Sequence, residues 1–196
     1  VKYRPLKFGV TRATLRDGDT GVHYLRADQE LPPYPERLTD RLVHWAKERP
    51  NQTLFARRMK NADGSSGDWK HITFAQALDA ARRIGQGLLN RGLSAERPVL
   101  ILSENDLEHA LMALGCVYAG VAYCPTSPAY SLISQDFDKL KHVIKTLTPG
   151  MVFASDALRY SRAMLATLGD DVELVTTHGT VPGRDTTSFA ALLATE

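Results

Sequence analysis

Residues 110–130, ALMALGCVYAGVAYCPTSPAY, decide how this chain folds. Leu107, Ala110, Leu111, Leu114, Val117 and Tyr118 recur at helical spacing, which assigns one helix face to a core. Gly120 can take the positive φ that ends a helix. Residues 121–124 then predict a short strand, too apolar for a wet edge. Pro125 and Pro128 stop the ladder and stiffen the exit.

Outward from that stretch the same alternation repeats. Upstream, residues 98–102 predict a buried strand, and Asn105 or Asp106 supplies the helix cap. Downstream, Ser134 caps a helix with Phe137, Leu140, Ile144 and Leu147 inward, stopped by Pro149 and Gly150. Residues 151–154 give another short apolar strand, then a helix near 157–168 and a strand at 172–176. Short apolar strands alternating with longer helices demand crossover connections. The expected fold is therefore α/β, a mainly parallel sheet with helices on both faces.

The first half is less regular. Residues 1–37 form an extended leader rich in Gly, Pro and charge, and residues 38–196 form the α/β subdomain. Thr39 is the expected N-cap of a helix carrying Leu42, Trp45 and Ala46 on one face, closed by Pro50. Residues 53–58 and 69–72 predict a small β-hairpin around the tip Asp63-Gly64-Ser65-Ser66-Gly67. Thr73 and Gln76 form a capping box for a helix striped by Phe74, Ala77, Leu78, Ala81, Ile84 and Leu88, ending at Gly92. Gly85 and Gly87 within it mark close packing against a neighbour.

Composition narrows the function classes. At 196 residues the chain can bury roughly two-thirds of its unfolded surface. A 43% apolar and 23% charged composition is ordinary for a globular protein, and a net charge of +2 gives no case for nucleic acid or an anionic membrane. The longest apolar run falls short of the roughly 18 residues a bilayer-spanning helix needs. Cys116 and Cys124 read as reduced buried thiols, which suits the cytoplasm. The six histidines make no metal spacing with each other or with cysteine, so no metal site is expected. No Gly-x-Ser-x-Gly elbow offers a hydrolase nucleophile. Glu104 and Glu108, four apart across a helix start, read as a solvated turn rather than an acid/base pair. The chain opens on Val and stops directly behind a helical-looking 189–193, so both ends read as cut.

A family resemblance runs through these elements. The run A-G-x-A-Y-x-P at residues 119–125 and the run ITFAQAL at residues 72–78 resemble two conserved stretches of the adenylate-forming acyl-CoA synthetase superfamily. The phrases YRPLKFG (3–9), PPYPERLTDRLVHWA (32–46), RGLSAERPVLILSEN (91–105) and PTSPAYSLISQDFDKLKHVI (125–144) are similar to the feruloyl-CoA synthetase group. The resemblance implies the N-terminal portion of a two-step ligase using Mg, ATP, coenzyme A and a hydroxycinnamate such as ferulate. It also implies that the phosphate loop, the nucleotide contacts and the catalytic lysine lie outside these residues. No catalytic residue is therefore expected here, and the chain alone is expected to be inactive.

Residues 176–184, TTHGTVPGR, look superficially like a phosphate loop. They fail physically, because Pro182 has no N–H, Val181 replaces a hydroxyl residue and no lysine follows. Arg159 and Arg162 stand three apart just after the strand 151–154, which puts both guanidinium groups on one face at a strand's carboxyl end. Guanidinium forks grip phosphates bidentately, and ligands of open α/β sheets gather beyond those ends. The pair resembles two arginines that contact coenzyme A in related acetyl-CoA synthetases; ordinary solvated helix charges are the alternative. The same resemblance implies that Thr126, Ser127 and Pro128 line the rim of a thioester-forming tunnel; a rigid loop with no ligand is the alternative. Two rivals remain open at this level. One is a stand-alone non-catalytic binding module, and the other is a partner-interaction domain.

Overall fold

The structure, a computed structural model, describes Gly9 and residues 12–196; of the leader phrase at residues 3–9, only Gly9 lies among the described residues. The chain divides into two compact units, residues 1–36 and 37–196. In the first, β1 (Ala13–Asp17) and β2 (His23–Ala27) pair antiparallel, with Ala13 opposite Ala27 and Asp17 opposite His23. The connection turns through Thr20 (φ 64°) and Gly21 (φ 79°). The sequence pattern does not announce this hairpin. The reason is physical: every residue of both strands is exposed, so no buried face imposes a period of two.

In the second unit, α1 (Leu38–Glu48) begins two residues earlier than expected. Arg37 is the cap in place of Thr39; its backbone N–H donates to the Asp40 carboxylate at 3.1 Å, while Thr39 lies buried in the first turn. The hairpin of β3 (Thr53–Lys60) and β4 (Ser66–Thr73) forms as expected, with irregularities next to Phe55 and Lys60. Thr73 and Gln76 close their reciprocal cap, N–H to side chain in both directions at 2.9 and 3.3 Å. That cap opens α2 (Phe74–Leu89).

The remaining elements are β5 (Val99–Leu102), α3 (Leu107–Ala119), β6 (Tyr123–Pro125), α4 (Ala129–Leu132), α5 (Asp138–Leu147), β7 (Met151–Asp156), α6 (Ala157–Thr167), β8 (Glu173–His178), β9 (Thr187–Ser188) and α7 (Phe189–Leu193). The strands form a sheet of order β6-β5-β7-β8-β9, parallel at every pairing. Successive residues feed opposite cores. Val99, Ile101, Met151, Phe153 and Val175 face the layer of α1, α2, α3 and α7. Leu100, Leu102, Val152, Ala154 and Leu174 face the layer of α5 and α6. Burial on both faces explains why these strands read as continuous apolar runs.

Two glycines set the approach of α2 to α3. A Cβ on Gly115 would stand 2.4 Å from Ile84 Cγ2, and one on Gly85 would stand 3.3 Å from the Gly115 carbonyl oxygen. Gly120 ends α3 in the left-handed conformation, φ 73°. The strand expected at 121–124 does not sit inside the sheet, contrary to its apolar composition: β6 is the edge strand, with Tyr123 37% exposed. Pro125, which has no N–H to donate, suits an edge. Ser134 does accept the N–H of Phe137, but Phe137 adopts φ 58° and the regular helix starts at Asp138.

The described surface also holds uncovered apolar area. A groove of about 350 Å³ runs between α1, α3, β3 and the β6 edge, lined by Leu38, Phe55, Val117 and Tyr123. Leu38 at its rim is 84% exposed.

Burial separates the two cysteines. Cys116 is fully buried on α3 and Cys124 half-buried on the edge strand. Burial pushes the Cys116 thiol from 9.0 up to about 12. Above pH 9 the unfolded chain releases a proton that the folded chain holds until about 12, so this thiol lowers stability progressively through that window. At pH 8 a maleimide is expected to label Cys124 in the folded chain and Cys116 only after denaturant is added. Peptide mapping of the labelled chain decides it, and labelling of Cys116 first overturns the assignment of α3.

Candidate functional site

From β5 the chain passes through α3 to β6 on one side, then returns through α5 to β7 on the other. The connections leaving β5 and β7 therefore run to opposite faces, α3 to one core and α6 to the other. Between the carboxyl ends of these two strands the sheet opens a crevice, the usual ligand position in such sheets. A cleft of about 330 Å³ lies there. Glu104 and Asp106 enter it from the β5–α3 turn, Asp156 and Arg159 from the β7–α6 junction, and Arg57 and Lys60 from β3.

Two of its four carboxylates cap helices. Asp106 caps α3, accepting the His109 N–H at 2.8 Å and the Ser103 hydroxyl at 2.6 Å, and lies 3.9 Å from an Arg57 nitrogen. Asp156 caps α6 by accepting the Arg159 N–H at 3.1 Å. Glu108, beside them, pairs with Lys70 at 3.1 Å. Glu104 too is held by a single cation, the guanidinium of Arg159, at 2.9 Å. Hydrogen bonding to Arg159, then its charge, holds the Glu104 carboxyl below its ordinary range, with smaller help from Arg57 and Lys60. The same bond raises Arg159. Beneath them the buried Tyr160 hydroxyl finds no protein partner; burial first, and the nearby Glu104 second, push it up to about 12.

The solvated-turn reading of Glu104 and Glu108 is thus incomplete, since each meets a cation from another element. Arg159 and Arg162 are not joined in one fork. Arg162 donates to the Gln135 side chain at 2.9 Å and the Ser134 carbonyl at 2.7 Å, and its guanidinium lies over Phe137. Those contacts tie it to the start of α5, away from the cleft lining. Thr126, Ser127 and Pro128 stand at the carboxyl end of β6. Thr126 is buried, with its N–H and hydroxyl on the Ile101 carbonyl, whereas Ser127 is exposed and Pro128 opens α4. None of the three lines the cleft.

The loop at 176–184 is engaged with itself. The Thr176 hydroxyl donates to the Gly179 carbonyl, the Val181 N–H to the Thr186 hydroxyl, and Arg184 to the carbonyls of Gly169 and Val172. The N–H groups of Val181 and Arg184 are engaged within the loop and Pro182 has none, which removes three positions from any amide cradle for a pyrophosphate. Among the described residues no group of three potential ligands could hold a metal ion, and no helix is long and apolar enough to cross a membrane.

Comparison with known proteins places this architecture. Residues 42–193 match the AMP-binding enzyme family. The chain belongs to that family. It is 30% identical over 84 residues to a luciferin 4-monooxygenase of Luciola mingrelica, an alignment covering 43% of this chain and 14% of that protein. It is 33% identical over 96 residues to a long-chain-fatty-acid–CoA ligase of Homo sapiens, covering 49% of this chain and 12% of the relative. A solved Rhodopseudomonas palustris structure described as a long-chain-fatty-acid CoA ligase superposes with a TM-score of 0.60 at 23% identity, over 80% of this chain and 36% of that one. An AMP complex of a carboxylic acid reductase didomain from Segniliparus rugosus gives 0.59 at 14% identity, over 81% and 26%. The chain therefore spans about a third or less of these proteins, and the likeness is one of fold, that of the N-terminal domain of adenylate-forming ligases.

Proposed function

We propose that this chain forms the N-terminal part of an acid–CoA ligase acting on a hydroxycinnamate such as ferulate in the cytoplasm. In this reading the acid's carboxylate attacks the α-phosphorus of Mg-bound ATP and pyrophosphate leaves. Coenzyme A thiolate then attacks the acyl carbon and AMP leaves. The observation that carries the reading is Arg159, set at the start of α6 beyond the carboxyl ends of β5 and β7. There a guanidinium, backed by the positive end of α6, suits the phosphates of coenzyme A. Arg162 joins it only if its hold on Gln135 and Ser134 is released, and Thr126, Ser127 and Pro128 form the rim past which the thiol arm travels. The family match and the partial likeness to a fatty-acid–CoA ligase support the same class of reaction.

The chain itself contributes scaffold and a coenzyme hold rather than the groups that stabilise the leaving pyrophosphate. Preorganised positive charge at developing anions is usually the largest catalytic term. In the loop at 176–184 the one cation, Arg184, is spent on the carbonyls of Gly169 and Val172, and the Val181 N–H on Thr186. The complete polypeptide that contains this chain is expected to form feruloyl-CoA and pyrophosphate from ferulate, ATP, Mg and coenzyme A. The 196 residues alone are expected to release no pyrophosphate above background. Turnover by these residues alone overturns the scaffold reading. A complete protein that makes no acyl-CoA overturns the ligase, and one that prefers a fatty acid overturns the hydroxycinnamate.

A further inference from the structure

The Glu104–Arg159 pair has the geometry of something meant to be exchanged. It is a single contact, Nη1 to Oε2 at 2.9 Å, with both side chains 49% exposed. One contact leaves most of the five guanidinium donors unused. A pair this exposed contributes little to stability, so separating it is easy. Further cations share the cleft with it, facing the carboxylates of Asp106, Glu108 and Asp156. Arg57 and Lys60 stand close enough to stabilise the Glu104 charge. Lys60 has no ion-pair partner among the described residues. Asp106 and Asp156 cannot follow Glu104 out of the cleft, because each is fixed as a helix cap.

We propose that the Glu104 carboxylate holds the place of a ligand phosphate in this cleft, and that an incoming phosphate displaces it from Arg159 to sit among Arg159, Lys60 and Arg57. This rests on the reading of Arg159 as a phosphate contact and adds three residues to it. Two are cations from β3, far from α6 in sequence. The third is an internal competitor that lowers affinity for the coenzyme's nucleotide end. The exchange also carries consequences for the strand ends. With Glu104 on Arg159, the β5–α3 turn is tied to α6 across the β5/β7 opening; with phosphate on Arg159, the tie passes to β3 instead. A phosphate carries more charge than the carboxylate it replaces and accepts a bidentate fork, so the exchange runs toward the ligand.

The test is calorimetric titration of the 196-residue chain with adenosine 3′,5′-bisphosphate, the phosphate-bearing portion of coenzyme A, with circular dichroism establishing that each variant is folded. Glu104→Gln, which keeps size and hydrogen bonding and removes the charge, is expected to tighten binding about three- to fivefold, as loss of an exposed ion pair allows. Glu104→Ala gives the same direction. Arg159→Gln is expected to weaken binding about tenfold, the size of a charge-assisted hydrogen bond. Lys60→Gln is expected to weaken it by a smaller factor and to flatten its dependence on salt. If Arg159→Gln leaves binding unchanged, the phosphate contact and the exchange both fall. If Arg159→Gln weakens binding while both Glu104 variants fail to tighten it, the contact stands and the exchange alone is overturned.

Discussion

Phe153→Ala is expected to destabilise residues 37–196 by about 3–5 kcal/mol, the range for removing a buried aromatic ring from a core. Phe153 is wholly buried on β7, the middle strand of the five. Its ring lies 5.3 Å from that of Phe189 on α7, so one side chain links the sheet centre to the last helix. The backbone around it is held by ladders on both sides, Ile101 of β5 and Val175 of β8, and cannot close in on the vacated volume. A site that cannot collapse sits at the costly end of the range. Urea unfolding followed by circular dichroism checks it. The midpoint drops with the slope unchanged if only packing is lost. Phe153→Leu, which restores much of the volume, is expected to recover most of the loss. A loss under about 1 kcal/mol for Phe153→Ala contradicts the central position of β7, since only surface substitutions are that mild.

The central strand is legible in the sequence for the same reason that it is sensitive. Strands β5 and β7 are covered on both faces, so their residues have to be apolar without interruption, and 98–102 and 151–154 announce themselves. A cap with mutual side-chain chemistry is equally plain, Thr73 with Gln76, whereas the one-way cap of α3 is narrowed by the sequence only to Asn105 or Asp106 and falls to Asp106. Legibility fails wherever burial is one-sided or absent. The β1–β2 hairpin is exposed at every position, and β9 has two residues. The apolar run at 121–124 suggests an interior strand, yet Val121 alone is buried while Tyr123 looks out from the edge. The α4 turn is four residues long, too short to leave a period.

The site obeys the same logic at longer range. Arg159 can be placed because β7 and α6 are adjacent in sequence and a strand–helix junction has a known position in a parallel sheet. Its partner cannot, because Glu104 lies 55 residues away. Only the order β6-β5-β7 brings the turn after β5 beside the start of α6. Arg57 and Lys60 are visible as basic residues of a hairpin, with nothing in the sequence to aim them at α6. Arg162 departs from its expected place for a related reason. Helical spacing relates it to Arg159, but the carbonyl of Ser134 that captures it belongs to a connection whose path the spacing does not encode.

Gly115→Leu is expected to cost at least about 3 kcal/mol, beyond the usual range for an overpacked core. Even the first carbon has no room, since a Cβ would sit 2.4 Å from Ile84 Cγ2 and 2.7 Å from Ile84 Cβ. Ile84 Cβ is the branch point next to the α2 backbone, so it cannot swing aside as the tip of a long chain can. Relief requires α2 and α3 to separate, which also opens the contact between Gly85 and Ala119 one turn along. Against this stands the gain of about 1 kcal/mol in helix propensity when glycine is replaced. For Gly115→Ala the two effects are closer, and a net loss of about 1–2 kcal/mol is expected. Pairing Gly115→Ala with Ile84→Ala separates the causes, because Ile84→Ala removes the methyl at 2.4 Å and leaves only the Cβ contact at 2.7 Å. If steric approach governs the crossing, the double variant is more stable than the sum of the single losses, with a coupling of about 1–2 kcal/mol. Strict additivity means that α3 packs on α2 through other residues, and the close crossing that sets the spacing of this layer does not exist in solution.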